Sequence, residues 1–210
     1  MIYLIITSSI IDKNIYTKKD DEFRKQTYLN SITKSLSLLP SSITPIIVEN
    51  NGQRETYLDS IGIPVFYTEN NNKSEHCHKA QNELSDIRDV IEKYGIKDDD
   101  MIIKLTGRYH LKYPYFFELV SEHENNYDVF MKFFNVALMQ FDENDCVMGL
   151  FAMRCKYLKA FNFSEELVQH GQSAEVQFCK YTRELNCRVF SVDFLYSTFC
   201  FADDWFITDL

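Results

Sequence analysis

Apolar residues fall in short blocks along the first half of the chain, and the blocks alternate in period. Residues 2–7 form an unbroken apolar run of strand length, and polar residues 12–21 read as a loop. Tyr28, Ile32, Leu36 and Leu39 then recur at helical spacing on one face, and Pro40 ends that helix. Pro45-Ile46-Ile47-Val48 reads as a second strand that stops at Glu49-Asn50-Asn51-Gly52. Residues 63–67 give a third strand, followed by a polar loop over 69–75. Ala80, Leu84, Ile87, Ile91 and Tyr94 predict a strong helix, with Gly95 placed to stop it. Residues 101–105 are the fourth strand.

Strand and helix alternate here as in a Rossmann-like parallel sheet. The second half changes character. Residues 128–138 and 146–153 are long, apolar and strand-like. Ala174, Phe178, Thr182 and Leu185 keep register over a helix from about 174 to 185, and 188–193 and 195–201 read as further strands. No linker or internal repeat divides the chain. The expectation is one α/β domain with a mixed, mostly parallel central sheet flanked by helices. Residues 1–110 and 111–210 are its two halves.

Chemistry gathers where the fourth strand ends, at Lys104-Leu105-Thr106-Gly107-Arg108. Ligands of open α/β sheets bind at the carboxyl ends of strands. Two cations, a hydroxyl and a residue without a side chain suit a phosphate-bearing ligand there. Arg offers fixed bidentate donors, and Gly107 permits close backbone approach. The bland alternative is an Arg–carboxylate pair beside a glycine turn. Asp98-Asp99-Asp100 precedes the same strand, at the wrong end of the sheet, and reads as a solvated turn. His76-Cys77-His78 lacks two further ligands at zinc spacing.

The net charge of −9 argues against a nucleic-acid backbone as partner, though not against a local cationic pocket. Six cysteines contain no CxxC pair, and Cys146, Cys179 and Cys200 sit in apolar runs. Reduced core thiols in a cytoplasmic protein are expected. The apolar N-terminus has no basic flank and is too short to span a bilayer.

The order of these pieces resembles a GT-A glycosyltransferase domain, nearest to inverting family-2-like enzymes and to uncharacterised glycosyltransferase-like proteins of large viruses and microbes. The resemblance covers most of the chain and implies that residues 1–110 form a nucleotide-sugar-binding half and 111–210 an acceptor-side half. It implies that the end of the first strand, at Thr7, opens a nucleotide-sugar site. It also implies that Glu49 with Asn50 contacts the nucleoside, the bland reading being a polar turn. Lys79 and Asn82 open a helix beneath the nucleotide, where they meet phosphates or solvent. Lys104, Thr106, Gly107 and Arg108 take the diphosphate. In the second half, Met153-Arg154-Cys155-Lys156, then Glu175-Val176-Gln177-Phe178, then Arg183-Glu184-Leu185 follow the family's order. Glu175 falls at its catalytic base, or is simply an acid favoured in a first helical turn.

One departure matters. The family holds a divalent cation, manganese or magnesium, with Asp-x-Asp after the fourth strand, where this chain has Lys104-Leu105-Thr106. Asp203 and Asp204 are the weak remaining metal candidates. The function implied is sugar transfer from a nucleotide-sugar donor to a hydroxyl of a glycan, protein or lipid acceptor, with inversion. The alternatives are a non-catalytic nucleotide-sugar-binding module and a nucleotidyltransferase. The loop Thr7-Ser8-Ser9-Ile10 lacks the glycines usual in the last.

Overall fold

The apolar run at the N-terminus becomes strand β1, Ile2–Ser8, buried along its whole length. The structure is a computed structural model. It describes residues 1–11, 21–52, 54–72, 79–164, 166–167, 172–202 and 205–207, with backbone alone at 21, 200–202 and 205–207. β1 pairs in parallel with β2, Ile43–Glu49, on one side and with β4, Met101–Thr106, on the other. β3, Val65–Tyr67, extends the edge in parallel. It starts later than the apolar run because Pro64 has no N–H and offers only its carbonyl, to Ile47 N at 3.1 Å.

Beyond β4 the sheet turns mixed. β7, Leu150–Arg154, runs antiparallel to β4 and to β6, Val129–Met131, while β8, Val189–Ser191, is parallel to β6. The order is β3-β2-β1-β4-β7-β6-β8. A small second sheet joins β5, His110–Leu111, to β9, Ser197–Ala202, and β10, Trp205–Ile207.

Helices cover both faces because strand side chains alternate. Ile2, Leu4 and Ile6 pack with Tyr28 and Ile32 of α1, Asp21–Ser37, and with Phe116, Phe117 and Val120 of α3, Tyr115–His123. Tyr3 and Ile5 pack with Leu84, Ile87, Val90 and Ile91 of α2, Lys79–Tyr94. The same layer holds Leu158 of α4, Cys155–Ala160, and Phe178 of α5, Ala174–Glu184. The α/β sandwich expected from the sequence is therefore the fold.

Several elements differ from the expectation. α3 escapes notice because Tyr115-Phe116-Phe117-Glu118-Leu119-Val120 is apolar nearly all round and shows no clean stripe. The long strand-like runs shrink to β6 and β7. Between them the chain keeps only bridges, Phe133 to Cys146 and Asn135 to Gln140. Lys132 O still accepts there from Val147 N at 3.0 Å, and the Lys132 ammonium donates to the Asp193 carbonyl. The acidic triplet closes the other end of the sheet as surface chemistry. Asp98 pairs with Lys159 at 2.6 Å, Asp99 with Lys156 at 3.2 Å, and Asp100 accepts from Lys97 N at 2.8 Å.

Gly107 has a packing duty. Its N–H donates to Thr7 O at 2.9 Å, and an added Cβ would lie 3.0 Å from that oxygen and 3.0 Å from the Tyr28 ring. Both neighbours are rigid. Gly107→Ala is expected to cost about 1–3 kcal/mol of unfolding free energy, read by urea denaturation. An unchanged midpoint would show that the β1–β4–α1 junction has slack.

Candidate functional site

β1, β2 and β4 run in parallel, so their carboxyl ends share one edge. The N-terminus of α2 and the side of α1 close over that edge. The cleft so formed encloses about 540 Å³ of atom-free space. Thr7, Asn50, Lys79, Thr106 and Arg108, five of the expected residues, line it. Ser8, Ser9, Ile11, Arg24, Tyr28, Asn71 and Glu83 also line it and were not expected. Arg24 sits one turn before Tyr28 on the buried face of α1, with its guanidinium donating to Ser9 O at 2.6 and 2.9 Å. A basic residue on a buried helical face was the available signal.

Thr7 Oγ1 and Asn50 Oδ1, in this wall, are buried without a hydrogen-bond partner among the described residues. Such groups are costly to leave unmade, so they mark where a ligand belongs. The Asn50 amide is held from behind. Its Nδ2 donates to Asp86 at 2.8 Å, which fixes Oδ1 as the free acceptor. Asp86 also accepts from Thr68 Oγ1 at 2.6 Å and Asn70 Nδ2 at 2.8 Å. Burial pushes its carboxyl up to about 6 against these hydrogen bonds.

Three expected residues support the cleft from outside its lining. Glu49 is fully buried and cannot meet a nucleoside directly. It accepts from Ser8 Oγ at 2.8 Å, Ile10 N at 3.2 and 3.3 Å, and Asn51 N at 3.0 Å. Burial pushes its carboxyl up to about 7, with the hydrogen bonds opposing. Asn82 is buried and donates to Asn71 at 3.3 Å. Lys104 corrects the expectation of a phosphate-facing cation. Its ammonium has three protons and three partners, Thr106 Oγ1 at 2.6 Å, Glu83 at 2.8 Å and Met148 O at 3.2 Å. Gly107 likewise serves the chain crossing rather than the lining.

Glu175 lies elsewhere. It is in the first turn of α5, capped by Ser173, whose Oγ accepts from Val176 N at 3.2 Å. It lines a second cavity of about 1060 Å³ of atom-free space with Tyr109, Asn135, Asp145, Met148, Gly149 and Gln172. Arg108 lines the first cleft and Tyr109 the second, so the turn after β4 separates them. An added Cβ on Gly149 would fall 1.8 Å from the Tyr109 ring, so that ring lies flat on bare backbone. Burial raises the Asp145 carboxyl, and repulsion from Glu175 and Asp142 adds to it.

The first cleft does not suit a hard dication. Among the described residues its lining has one carboxylate, Glu83, and Lys104 takes it. No group of three His, Cys, Asp or Glu is placed to hold a metal among the described residues. Asp203, Asp204 and His76-Cys77-His78 lie outside them. No described helix is long and apolar enough to cross a membrane.

The fold is similar to those of solved nucleotide-diphospho-sugar transferase-like and nucleotidyltransferase structures. A protein of Desulfovibrio desulfuricans G20 assigned as a nucleotide-diphospho-sugar transferase superposes with TM-score 0.57 at 9% identity, over 91% of this chain and 79% of that one. A CMP:2-keto-3-deoxy-manno-octonic acid synthetase complexed with CTP gives 0.56 at 12% identity, over 91% and 89%. A cytidylyltransferase of Leptospira borgpetersenii serovar Hardjo-bovis (strain JB197) gives 0.54 at 10%, over 91% and 76%. No family model and no curated protein matches the sequence.

Glu49 makes a pH prediction. Its unfolded carboxyl titrates near 4.5 and its folded one near 7. Between those values the folded state keeps a proton that the unfolded state has lost, so stability falls as pH rises through the window. Over pH 4.5–7 wild type should lose up to about 3 kcal/mol more than Glu49→Gln. Parallel urea titrations at several pH values check this, and matching slopes would remove Glu49 as the source.

Proposed function

We propose that this protein transfers a sugar from a nucleotide-sugar donor to an acceptor hydroxyl. The observation that supports this is the charge of the first cleft. Arg24, Lys79 and Arg108 arrive from three elements at one strand edge of a chain with net charge −9. Beside them are the orphaned oxygens of Thr7 and Asn50. Anionic ligands that also carry hydrogen-bonding groups fit that set.

In this reading Asn50 Oδ1 accepts from the base or ribose, and Thr7 Oγ1 meets the same nucleoside. Arg108 and Lys79 face the diphosphate, with Arg24 behind them. As the sugar–phosphate bond breaks, charge grows on the leaving diphosphate. Fixed cations stabilise it without reorganising. Glu175 takes the proton of the acceptor hydroxyl, which attacks the anomeric carbon from the second cavity. Because the described cleft presents cations where a metal site would need carboxylates, no step is routed through a metal.

A nucleotidyltransferase is the second reading, favoured by the cytidylyltransferase among the similar structures. It would use the same cleft for a nucleoside triphosphate and release pyrophosphate. The products separate the two. Sugar transfer consumes nucleotide sugar and frees nucleoside diphosphate. Nucleotidyl transfer consumes triphosphate and sugar phosphate.

A thermal-shift panel of nucleoside diphosphates, triphosphates and nucleotide sugars, with and without manganese, is the first test. A ligand of the native state raises the melting temperature. No stabilisation by any of them would sink both readings. Arg108→Ala is expected to weaken nucleoside diphosphate binding by roughly tenfold or more while leaving free nucleoside nearly unchanged, since charge-assisted bonds to phosphate are lost. Calorimetry with both ligands reads the difference, and equal losses would take Arg108 off the phosphate. Glu175→Gln should keep donor binding and lower transfer by roughly 10²–10⁴. A normal rate would reassign the base. Transfer in chelator should persist, and its full loss there with rescue by manganese would return the metal to the mechanism.

A further inference from the structure

The second cavity reaches a pair of cysteines that the transfer chemistry does not use. Cys146 lines it, on the chain segment between β6 and β7, and Cys179 lies behind, on α5. Both are buried and unbridged. Their contacts are reciprocal. Cys146 Sγ donates to Glu175 O of the helix at 3.3 Å, while Cys179 Sγ donates to Glu143 O of the segment at 3.2 Å. Glu175 and Cys179 are one helical turn apart, so a sulfur resting on the Glu175 carbonyl rests beside Cys179. Among the described residues they are the one pair of cysteines that each reach a carbonyl of the other's segment.

We propose that Cys146 and Cys179 form a peroxide-sensitive dithiol whose disulfide fastens the segment between β6 and β7 to α5 and fixes the wall of the second cavity.

The surroundings divide the labour. Burial holds the Cys146 thiol up. The neighbouring Cys146 thiol and the Arg183 guanidinium bring Cys179 down. Arg183 is one further turn along the same helical face, and its guanidinium stands 4.5 Å over the Phe133 ring, across the bridge from Cys146. Cys179 is therefore the readier thiolate. Peroxide loses one oxygen to the Cys179 sulfur, giving a sulfenic acid, and its other oxygen leaves as water. Cys146 sulfur then attacks the Cys179 sulfur and displaces the sulfenic oxygen, which departs as water with the Cys146 proton. Two thiols give two electrons to one peroxide, and two waters leave. A cellular thiol reductant reverses the bond by exchange.

The consequence falls on Glu175 and Asp145. Glu175 starts the turn that the bond pins, and Asp145 precedes Cys146 in the chain. The bond cross-links two parts of the cavity wall without touching the first cleft.

The test treats the intact protein with hydrogen peroxide, blocks remaining thiols, and maps disulfides by mass spectrometry of the unreduced digest. The expected result is a Cys146–Cys179 cross-linked peptide as the principal disulfide, removed by a thiol reductant and absent from Cys146→Ala and Cys179→Ala. The oxidised wild type should melt roughly 5–10 °C higher than the reduced form. Cross-links dominated by Cys77, Cys155, Cys187 or Cys200 would overturn the proposal, as would oxidation only to sulfinic or sulfonic acids. An unchanged or lowered melting temperature would overturn the claim that the bond fastens the wall. Nucleoside diphosphate binding is read separately. Its absence would sink the transferase reading and leave the dithiol standing.

Discussion

One buried carboxylate organises the strand edge that forms the first cleft. Glu49 ends β2, and its two oxygens gather the hydroxyl of Ser8 with the backbone N–H groups of Ile10 and Asn51. Those groups belong to the loops that leave β1 and β2. Without an acceptor they would be donors at a strand terminus with no ladder to join. Glu49 thus converts two chain exits into one rigid rim. Asp86 does the same one layer deeper, collecting Thr68, Asn70 and Asn50. The cleft is shaped by two acids that do not line it, and both are held above their ordinary titration range by the burial that makes them useful.

The electrostatics invert across a short distance. The chain carries −9, yet the cleft wall presents Arg24, Lys79 and Arg108. A cationic concavity in an anionic body concentrates its field at the mouth. Lys104 takes part indirectly. By holding Glu83 at 2.8 Å it neutralises the lining carboxylate that would oppose an anion. Its hydrogen bond fixes Thr106, which faces the first cleft, and its contact with Met148 O reaches the wall of the second cavity. A buried ammonium with all its protons engaged is costly to disturb, so the two spaces share one rigid partition.

What the sequence disclosed follows from which signals are local. The β1, β2, β4 and α2 periods are strong, and their alternation implied the parallel sheet and the edge that forms the first cleft. Asn50, Thr106 and Arg108 follow β2 and β4 to that edge, because a strand's carboxyl end has a fixed address, while Thr7 and Lys79 came from the family resemblance and a helix start. The direction of a side chain has none. Glu49 and Lys104 look like ligands in the sequence and turn inward in the fold, since their partners Ser8, Asn51 and Glu83 come from other elements. Arg24 was missed although it lies one turn before Tyr28, on the face that the apolar spacing marks as buried. The bridges between β6 and β7 misled because apolar runs record burial rather than ladder pairing.

The turn after β4 carries the last constraint. It must pass between β1 and α1 on one side and β7 on the other, and glycine occupies both close approaches. Gly107 lies against Thr7 and Tyr28, and Gly149 lies beneath the Tyr109 ring. A side chain at either place would push the turn toward one space or the other. With both bare, Arg108 and Tyr109 project to opposite sides from adjacent positions in the chain. A guanidinium thus reaches the cationic cleft and an aromatic ring reaches the acidic cavity from one short, braced turn. The same short turn therefore sets the lining of both spaces.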